Sequence, residues 1–479
     1  VRYSRVVGWL SMVVATLAVG AQAEPITQEQ FLDHLKQSHP LFDREKLTAQ
    51  IEAEEQKSLL GREDWNVQSS LFLSHEEPAL AISGPERTDA VTLTGGLDRL
   101  FWSTGGRLSA SFSSGYADMK LDPFLGVGDS FYEQKLFVAY EHPLKRNKAG
   151  LLDRLQFDLK QFDIDLAEVM ATENEEDFLA AAASRFLDWV YLNEQHRIVA
   201  ERLSLSQEQL ANTQKRREAN LIDEVDVIRA EDAVRIARQN LFLIESETRA
   251  VQAELAVLVQ NDSYNEGSPR YDLYQIVQLP TLEDARGQLT NDSRLLKSVG
   301  LKLDQLVALR SGLVNREKAD LSLVAQLGLK RADENLGQSL AMDKPEARLG
   351  LRLGFPLGNR TAKSEIARND LLSLRLQKRY EELTLDLTSA TANVHTRIKE
   401  LTRVLKLNQE QILSARTKTD QEQKLYDQGR GQLTFVIQSR DSEQAAQLIF
   451  AANALTYHKL LLQYRALTDQ LHGHDAGDS

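Results

Sequence analysis

The sequence predicts a mainly α protein with a transmembrane β-barrel portion, its protomer duplicated in tandem. Three observations predict this. The chain repeats its own pattern, most of it consists of long helical runs poor in proline and glycine, and the remaining segments alternate with a period of two.

The repeat is seen at its anchors. Thr27-Gln28-Glu29-Gln30-Phe31-Leu32, followed by Ser38-His39-Pro40-Leu41, recurs as Thr281-Leu282-Glu283-Asp284-Ala285-Arg286, followed by Asp292-Ser293-Arg294-Leu295, at an offset of 254. His142-Pro143-Leu144 recurs as Phe355-Pro356-Leu357 at an offset of 213. The drop of 41 between the two offsets places an insertion in the first copy's segment 66–142, enough for one additional hairpin with its loops.

Arg2 and Arg5 precede an apolar run from Val6 to Val19, and Ala21-Gln22-Ala23 supplies small residues before Glu24, the pattern of a cleaved secretory signal peptide over 1–23. Its loss removes both arginines and takes the formal net charge from −13 to −15. Such acidity argues against nucleic acid as a partner, because binding phosphates needs clustered Lys and Arg. The sequence has no cysteine, which excludes disulfides, thiolate metal sites and a lipid-modified cysteine. The expected chain is a signal peptide, a first repeat over 24–270, a second over 271–471 and a polar tail over 472–479.

After the signal, no stretch reaches the roughly 18 consecutive apolar residues of a spanning helix. Membrane crossing then falls to a closed β-barrel, the other architecture that satisfies every backbone group in lipid. Leu321, Leu323, Ala325, Leu327 and Leu329 alternate with Ser322, Val324, Gln326 and Gly328, and Leu349, Leu351, Leu353 and Phe355 alternate likewise around a polar loop from Arg331 to Arg348. In the first copy Val67, Ser69, Leu71 and Leu73 open the pattern, and Leu136, Val138 and Tyr140 close it before Pro143. Between them, Val91–Phe101 and Arg107–Phe112 flank the turn signal Ser103-Thr104-Gly105-Gly106. Glu76–Asp89 and Gly115–Ser130 read as external loops. Trp65, Phe101, Trp102, Phe131 and Tyr132, at strand ends, fit an interfacial aromatic belt. They fit a soluble sheet too, which alternates in the same way with one wet face.

The rest reads as long helices. About 70 residues between Gly358 and Gly429 lack proline and glycine, enough for a helix of about 105 Å. Val227, Ala230, Val234, Ala237, Leu241, Ile244, Thr248, Val251, Leu255 and Leu258 step by three and four, as do Val394, Ile398, Leu401, Leu405, Asn408, Ile412 and Ala415 in the other copy. Val225, Ile228, Ile236, Phe242 and Leu243 lie off this seam, which calls for neighbours on both flanks, while Glu231, Arg235, Arg238, Gln239 and Glu245 form a wet face. Both copies interrupt the helical pattern once. Asn220 in Ala219-Asn220-Leu221-Ile222-Asp223-Glu224 suits a left-handed cap and Asp223 an N-cap, and Gln428-Gly429-Arg430-Gly431-Gln432 does the same with glycines. These are two hairpin tips.

The tips and passages carry a resemblance. Arg217-Glu218-Ala219-Asn220-Leu221-Ile222-Asp223-Glu224-Val225-Asp226-Val227 resembles the arginine, glycine, leucine and aspartate-valine signature at a hairpin tip of TolC-like outer-membrane efflux proteins, and Tyr426-Asp427-Gln428-Gly429 resembles its second occurrence. Gly354-Phe355-Pro356-Leu357 and Glu141-His142-Pro143-Leu144 are similar to the family's strand-to-helix passages. The match runs from Thr27 to about Leu471.

The resemblance implies a homotrimer whose protomers give strands to one shared barrel in outer-membrane lipid and long antiparallel helical hairpins to a periplasmic α-barrel. It implies an exit duct that docks through its tips on a periplasmic adaptor, which connects it to an inner-membrane transporter. Asn220, Leu221, Ile222, Asp223, Gly429, Arg430, Gly431 and Gln432 would then be the docking residues. The tip glycine of the family is Asn220 here, and where relatives place inward aspartates the second copy has Phe435 and Gln438. Asp226 keeps the acidic position in the first copy, which makes Asp226, Phe435 and Gln438 the candidates for a constriction, by charge or by excluding water.

No cofactor and no catalysis is expected. There is no phosphate-binding loop of the Gly-x-x-x-x-Gly-Lys type, no nucleophile-base arrangement, and the one close histidine pair, His472 and His474, sits in the polar tail. The acidic runs Glu52-Ala53-Glu54-Glu55 and Glu173-Asn174-Glu175-Glu176-Asp177 read as solvated helix surface. A periplasmic adaptor or coiled-coil scaffold is the competing class. Adaptors usually carry one hairpin in mirror order, whereas this chain has two in tandem.

Overall fold

The computed structural model describes residues 25–77, 85–120 and 130–471. The expected signal peptide and the tail with His472 and His474 lie outside the described residues. The short strand β1 (Ile26–Thr27) leads into α1 (Gln28–Ser38) and α2 (Pro40–Ser58), followed by strands β2 (Asn66–Glu76), β3 (Arg87–Phe101), β4 (Gly106–Lys120) and β5 (Ser130–Pro143). Then come α3 (Leu151–Glu218), α4 (Glu224–Val259) and the short β6 (Pro269–Arg270). The second half follows the same plan with α5 (Leu282–Asp292), α6 (Arg294–Glu317), β7 (Asp320–Asp333), a single-turn α7 (Leu336–Ser339), β8 (Lys344–Gly354), α8 (Arg360–Asp427) and α9 (Leu433–Leu467).

Corresponding helices have matching lengths: 11 residues for both α1 and α5, 68 for both α3 and α8, and 36 and 35 for α4 and α9. Both opening helices start on a threonine hydroxyl. Thr27 Oγ1 accepts from the Gln30 N–H in a reciprocal capping box, and Thr281 Oγ1 accepts from the Asp284 N–H at 3.2 Å.

The chain forms two compact units that cut across this repeat. One takes the N-terminal segment up to Phe42, Glu176–Ala285 and the segment from Ala390; the other takes Asp43–Glu175 and Arg286–Ser389. Each draws on both halves because α3 and α8 contribute to both units.

The first unit holds the larger apolar core. Phe31 and Leu35 of α1 meet Phe186, Trp189, Leu255 and Tyr264 there, with Phe31 stacked on Phe186 at 5.4 Å and Phe186 edge-on to Trp189 at 5.7 Å. The strap 271–281, between β6 and α5, is tied to α9. Tyr457 Oη donates to the Val277 carbonyl (3.1 Å) and accepts from the Val277 N–H (2.9 Å), and buried His458 lies between the Tyr271 hydroxyl (2.8 Å) and the Leu273 carbonyl (3.0 Å).

The second unit holds one antiparallel sheet of six strands, ordered β2-β3-β4-β5-β7-β8. The additional first-copy hairpin is therefore part of the same sheet. Its pleat puts most of the apolar side chains on one face, with Phe72, Phe137 and Val324 among those on the other. The ladder carries Val67 to Leu97, Ala110, Val138, Leu327 and Ala347 across all six strands, and Leu71 to Leu93 and Leu73 to Val91 at the β2 end. On the same face of β7 and β8 lie Leu323, Ala325, Leu349, Leu351 and Leu353. The opposite face is mainly polar, with Gln68, Ser70, Thr92, Thr94, Ser111 and Ser113, and it carries the ion pairs Arg352–Glu141 (2.9 Å) and Lys330–Glu346 (2.7 Å).

Where strands hand over to helices the backbone is left-handed. Asn147 (φ 61°) uses Oδ1 to accept from the N–H groups of Leu152 and Asp153 at the start of α3, and Gly150 (φ 66°) approaches Trp102 so closely that a Cβ would collide with the Trp102 carbonyl. Asn359 (φ 43°) sits at the second passage and donates from Nδ2 to the Glu317 carbonyl at 2.8 Å.

Several expectations are corrected. Gly115–Lys120 belongs to β4 and not to a loop, because ladder pairing with β3 throughout and with β5 up to Asp118 overrides its Gly and Asp content. The polar loop after β7 is shorter than expected, since pairing runs on to Asp333 on β5 and resumes at Lys344. Trp102 is buried edge-on against Phe157 (5.6 Å) instead of standing in a belt, whereas Trp65 is exposed beside the Arg99 guanidinium. The acidic runs are not simply solvated: Glu173 pairs with Arg294 at 3.1 Å, Glu176 is buried, and Lys160 holds Glu55 at 2.5 Å as well as Glu52.

Candidate functional site

Both helical tips belong to the first unit and close by the same device. At the end of α3, the Asn220 N–H reaches the Arg217 carbonyl (2.9 Å) and the Leu221 N–H reaches the Arg216 carbonyl (2.9 Å), with Asn220 at φ 56°. At the end of α8, the Gly429 N–H reaches Tyr426 (3.0 Å) and the Arg430 N–H reaches Leu425 (2.9 Å), with Gly429 at φ 73°. Each is a helix stop in which one left-handed residue turns the chain and a long-reach bond returns to the last turn. Asparagine is the side chain that accepts this conformation most readily after glycine.

Beyond the turns the two tips differ. Leu221 is 69% exposed, Ile222 half-buried and Asp223 exposed. Asp223 occupies the N-cap of α4, but its side chain makes no capping bond there; its carbonyl accepts from the Asp226 N–H at 3.1 Å. In the second tip Arg430 and Gln432 are exposed and Gly431 is half-buried, packed so closely under Leu425 and Tyr426 that a side chain there would displace backbone.

The three constriction candidates sit in the first two turns of α4 and α9. Asp226 is ion-paired to Arg229 at 3.0 Å across one turn, so its charge is partly answered within its own helix. Phe435 is 49% exposed and does not belong to the buried cluster beside it. Gln438, one turn on, shares its exposed face and lines a cleft of about 280 Å³ with Arg202, Arg229, Asp232, Ile437 and Asp441.

Beneath the turns the helices are locked together. Ala230, Tyr426, Leu433 and Val436 form a small core, and the Arg216 guanidinium lies 4.3 Å from the centre of the Tyr426 ring while Nη1 donates to the Tyr426 carbonyl at 3.0 Å. Higher up, buried Arg202 donates to Ser206 Oγ and to Asp441 (2.7 Å), and Arg440 donates to the Leu205 carbonyl (2.8 Å) and Gln423 Oε1 (2.9 Å). Burial, and then the neighbouring charge of Arg202, lowers the Arg440 pKa from its ordinary value.

No family model matches the sequence, and no curated protein matches it either. Solved structures do. The outer-membrane channel OprN superposes with a TM-score of 0.66 over 92% of this chain and 89% of that one, at 14% identity. The outer membrane protein VceC from Vibrio cholerae gives a TM-score of 0.66 over 92% and 96% at 11% identity, and the CmeC outer membrane channel of Campylobacter jejuni gives 0.63 over 92% and 85% at 11% identity. This chain has the fold of those outer-membrane channels.

Within that channel fold, sequence reasoning found the turns but missed what holds them. Arg202, Ser206, Gln209 and Thr213 of α3 are all buried, in steps of four, three and four. Polar residues at seam spacing were the available signal, and counting only apolar positions passes over them. Among the described residues no helix is long and apolar enough to cross a membrane.

Proposed function

We propose that the chain is an outer-membrane exit duct of a tripartite efflux or secretion system. Three copies would share one barrel and one periplasmic helical tube, passing what an inner-membrane transporter delivers through a periplasmic adaptor. The observation that carries the reading is the apolar face of the six-stranded sheet. Val67, Leu71 and Leu73 at one edge, Leu93 and Val138 in the middle, and Leu327, Leu349, Leu351 and Leu353 toward the other are all exposed on it. A soluble protein rarely shows so broad an apolar patch, whereas lipid covers it without cost. The polar opposite face then lines water, and the fold likeness to outer-membrane channels supports the same orientation.

In this reading the protein reaches the outer membrane after signal cleavage, and the adaptor meets Asn220, Leu221, Ile222, Asp223, Gly429, Arg430, Gly431 and Gln432. Both tips end in the same turn, exposed and stiffened by Arg216 on Tyr426. The exposed Phe435 and Gln438, with the half-buried Asp226, are the proposed constriction. Val225, Ile228, Ile236, Phe242 and Leu243, all exposed in the single chain, supply apolar flanks for neighbouring copies.

The test is reconstitution of the purified protein in planar bilayers together with deletion of its gene. A duct gives stepwise ionic currents, an outer-membrane fraction that migrates differently when unheated, and accumulation of pump substrates in the deletion strain. Recovery of the protein as a monomer from a salt wash without detergent would overturn the proposal.

A further inference from the structure

The sheet has two free edges, β2 and β8, and they are complementary. Both strands have eleven residues, and both are the most exposed strands of the sheet. With six alternating strands, β8 runs opposite to β2, so the β8 edge of one copy can continue antiparallel onto the β2 edge of another. Their apolar residues fall on the same face of the sheet, and a slip of one residue would put the leucines of one strand on the polar side.

We propose that β8 of each copy pairs with β2 of the next copy in the register Lys344 to Glu76 through Gly354 to Asn66, and that three copies close a barrel of 18 strands. This rests on the duct reading for the number of copies; the register stands on the strands themselves. It pairs all eleven residues of both edges, sets Lys344 against Glu76, Leu349 against Leu71 and Leu353 against Val67, and opposes no like charges.

Closure supports it. Following the ladder from Val67 through Leu97, Ala110, Val138 and Leu327 reaches Ala347. In the proposed register Ala347 faces Leu73 of the next copy, a climb of six residues per copy (from 67 to 73). Over three copies the stagger equals the strand number, the ratio that gives strands a tilt of about 36° in closed barrels. With strands about 4.8 Å apart this sets a backbone diameter of about 34 Å, against about 23 Å for a 12-stranded barrel of the same tilt. The additional hairpin therefore widens the bore by about half. An unpaired edge of this length invites pairing in any case, and a second copy is the occupant whose polarity, length and direction fit both edges.

The absence of native cysteine makes the test clean. A variant carrying both Leu71→Cys and Leu349→Cys, prepared as the full chain in detergent and treated with dibromobimane, is expected to give a covalent ring of three on denaturing gels. A second on-register pair, Val67→Cys with Leu353→Cys, should do the same. The shifted pair Leu71→Cys with Leu353→Cys, displaced by four residues, should give about tenfold less. Crosslinking of the shifted pair alone overturns the register, rings of another size overturn the strand count, and absence of crosslinks in both on-register variants that still migrate as native oligomers overturns the pairing. These outcomes do not depend on transport: covalent trimers without bilayer conductance sink the duct reading and leave the pairing intact.

Discussion

Replacing Tyr457 by Phe should loosen the strap over residues 271–281 while leaving the helices beneath it in place. The Tyr457 ring is fully buried and its shape is retained, so the change removes a single oxygen that both donates to the Val277 carbonyl and accepts from the Val277 N–H. Each net hydrogen bond contributes about 1 kcal/mol, and a buried group left without a partner costs more. Val277 is half-buried, so water can partly replace the hydroxyl. The expected loss is about 1.5 kcal/mol of local stability, which corresponds to about tenfold faster amide exchange at Val277. Hydrogen-deuterium exchange with mass spectrometry on a peptide covering 271–281 reads it. The control is Tyr271→Phe, which removes the partner of His458 and should loosen the Leu273 side first. Unchanged exchange at Val277 in the Tyr457 variant, or an equal rise in α3 around Phe186, would refute the reasoning.

Three further outcomes are expected. Burial lowers the His458 pKa below its ordinary value of about 6.5, so the unfolded chain binds more protons on acidification; the strap's protection should be flat above about pH 7.5, fall as pH drops through 6.5, and flatten in His458→Asn, as exchange at pH 7.5 and 5.5 will show. Gly150→Ala should cost at least about 2 kcal/mol, because it adds a side chain at φ 66° against the Trp102 carbonyl, and should abolish the oligomer proposed above on unheated gels. At the tips, Gly429→Val should reduce capture of the proposed adaptor by site-directed crosslinking and raise local exchange, whereas Asn220→Gly, which keeps φ 56° at lower strain, should leave both unchanged.

Much of the fold was legible because it is written in periodicities. The seam residues Val227, Ala230, Val234 and Ala237 are buried as their spacing required, and the residue chosen for a left-handed turn, Asn220, has φ 56°. What escaped was set by partners distant in sequence. Gly115–Lys120 looks like a loop until β3 pairs with all of it and β5 with its first four residues. Glu173 looks solvated until Arg294 reaches it, and Arg202 looks like one more surface charge until Asp441 and Ser206 enclose it. At the candidate tips, the turns could be read from Asn and Gly, but the stacking of Arg216 on Tyr426 joins residues 210 positions apart, and no local pattern announces it.

The second copy enters and leaves the sheet with two strands and the first with four, yet α3 and α8 are equal in length. A whole hairpin is the smallest increment that leaves both rims of the sheet pointing as before, since a lone strand would reverse one of them. In the barrel proposed above, calibre thus grows in steps of two strands per subunit, by insertion of a single contiguous piece of gene, while α3 and α8 keep their length.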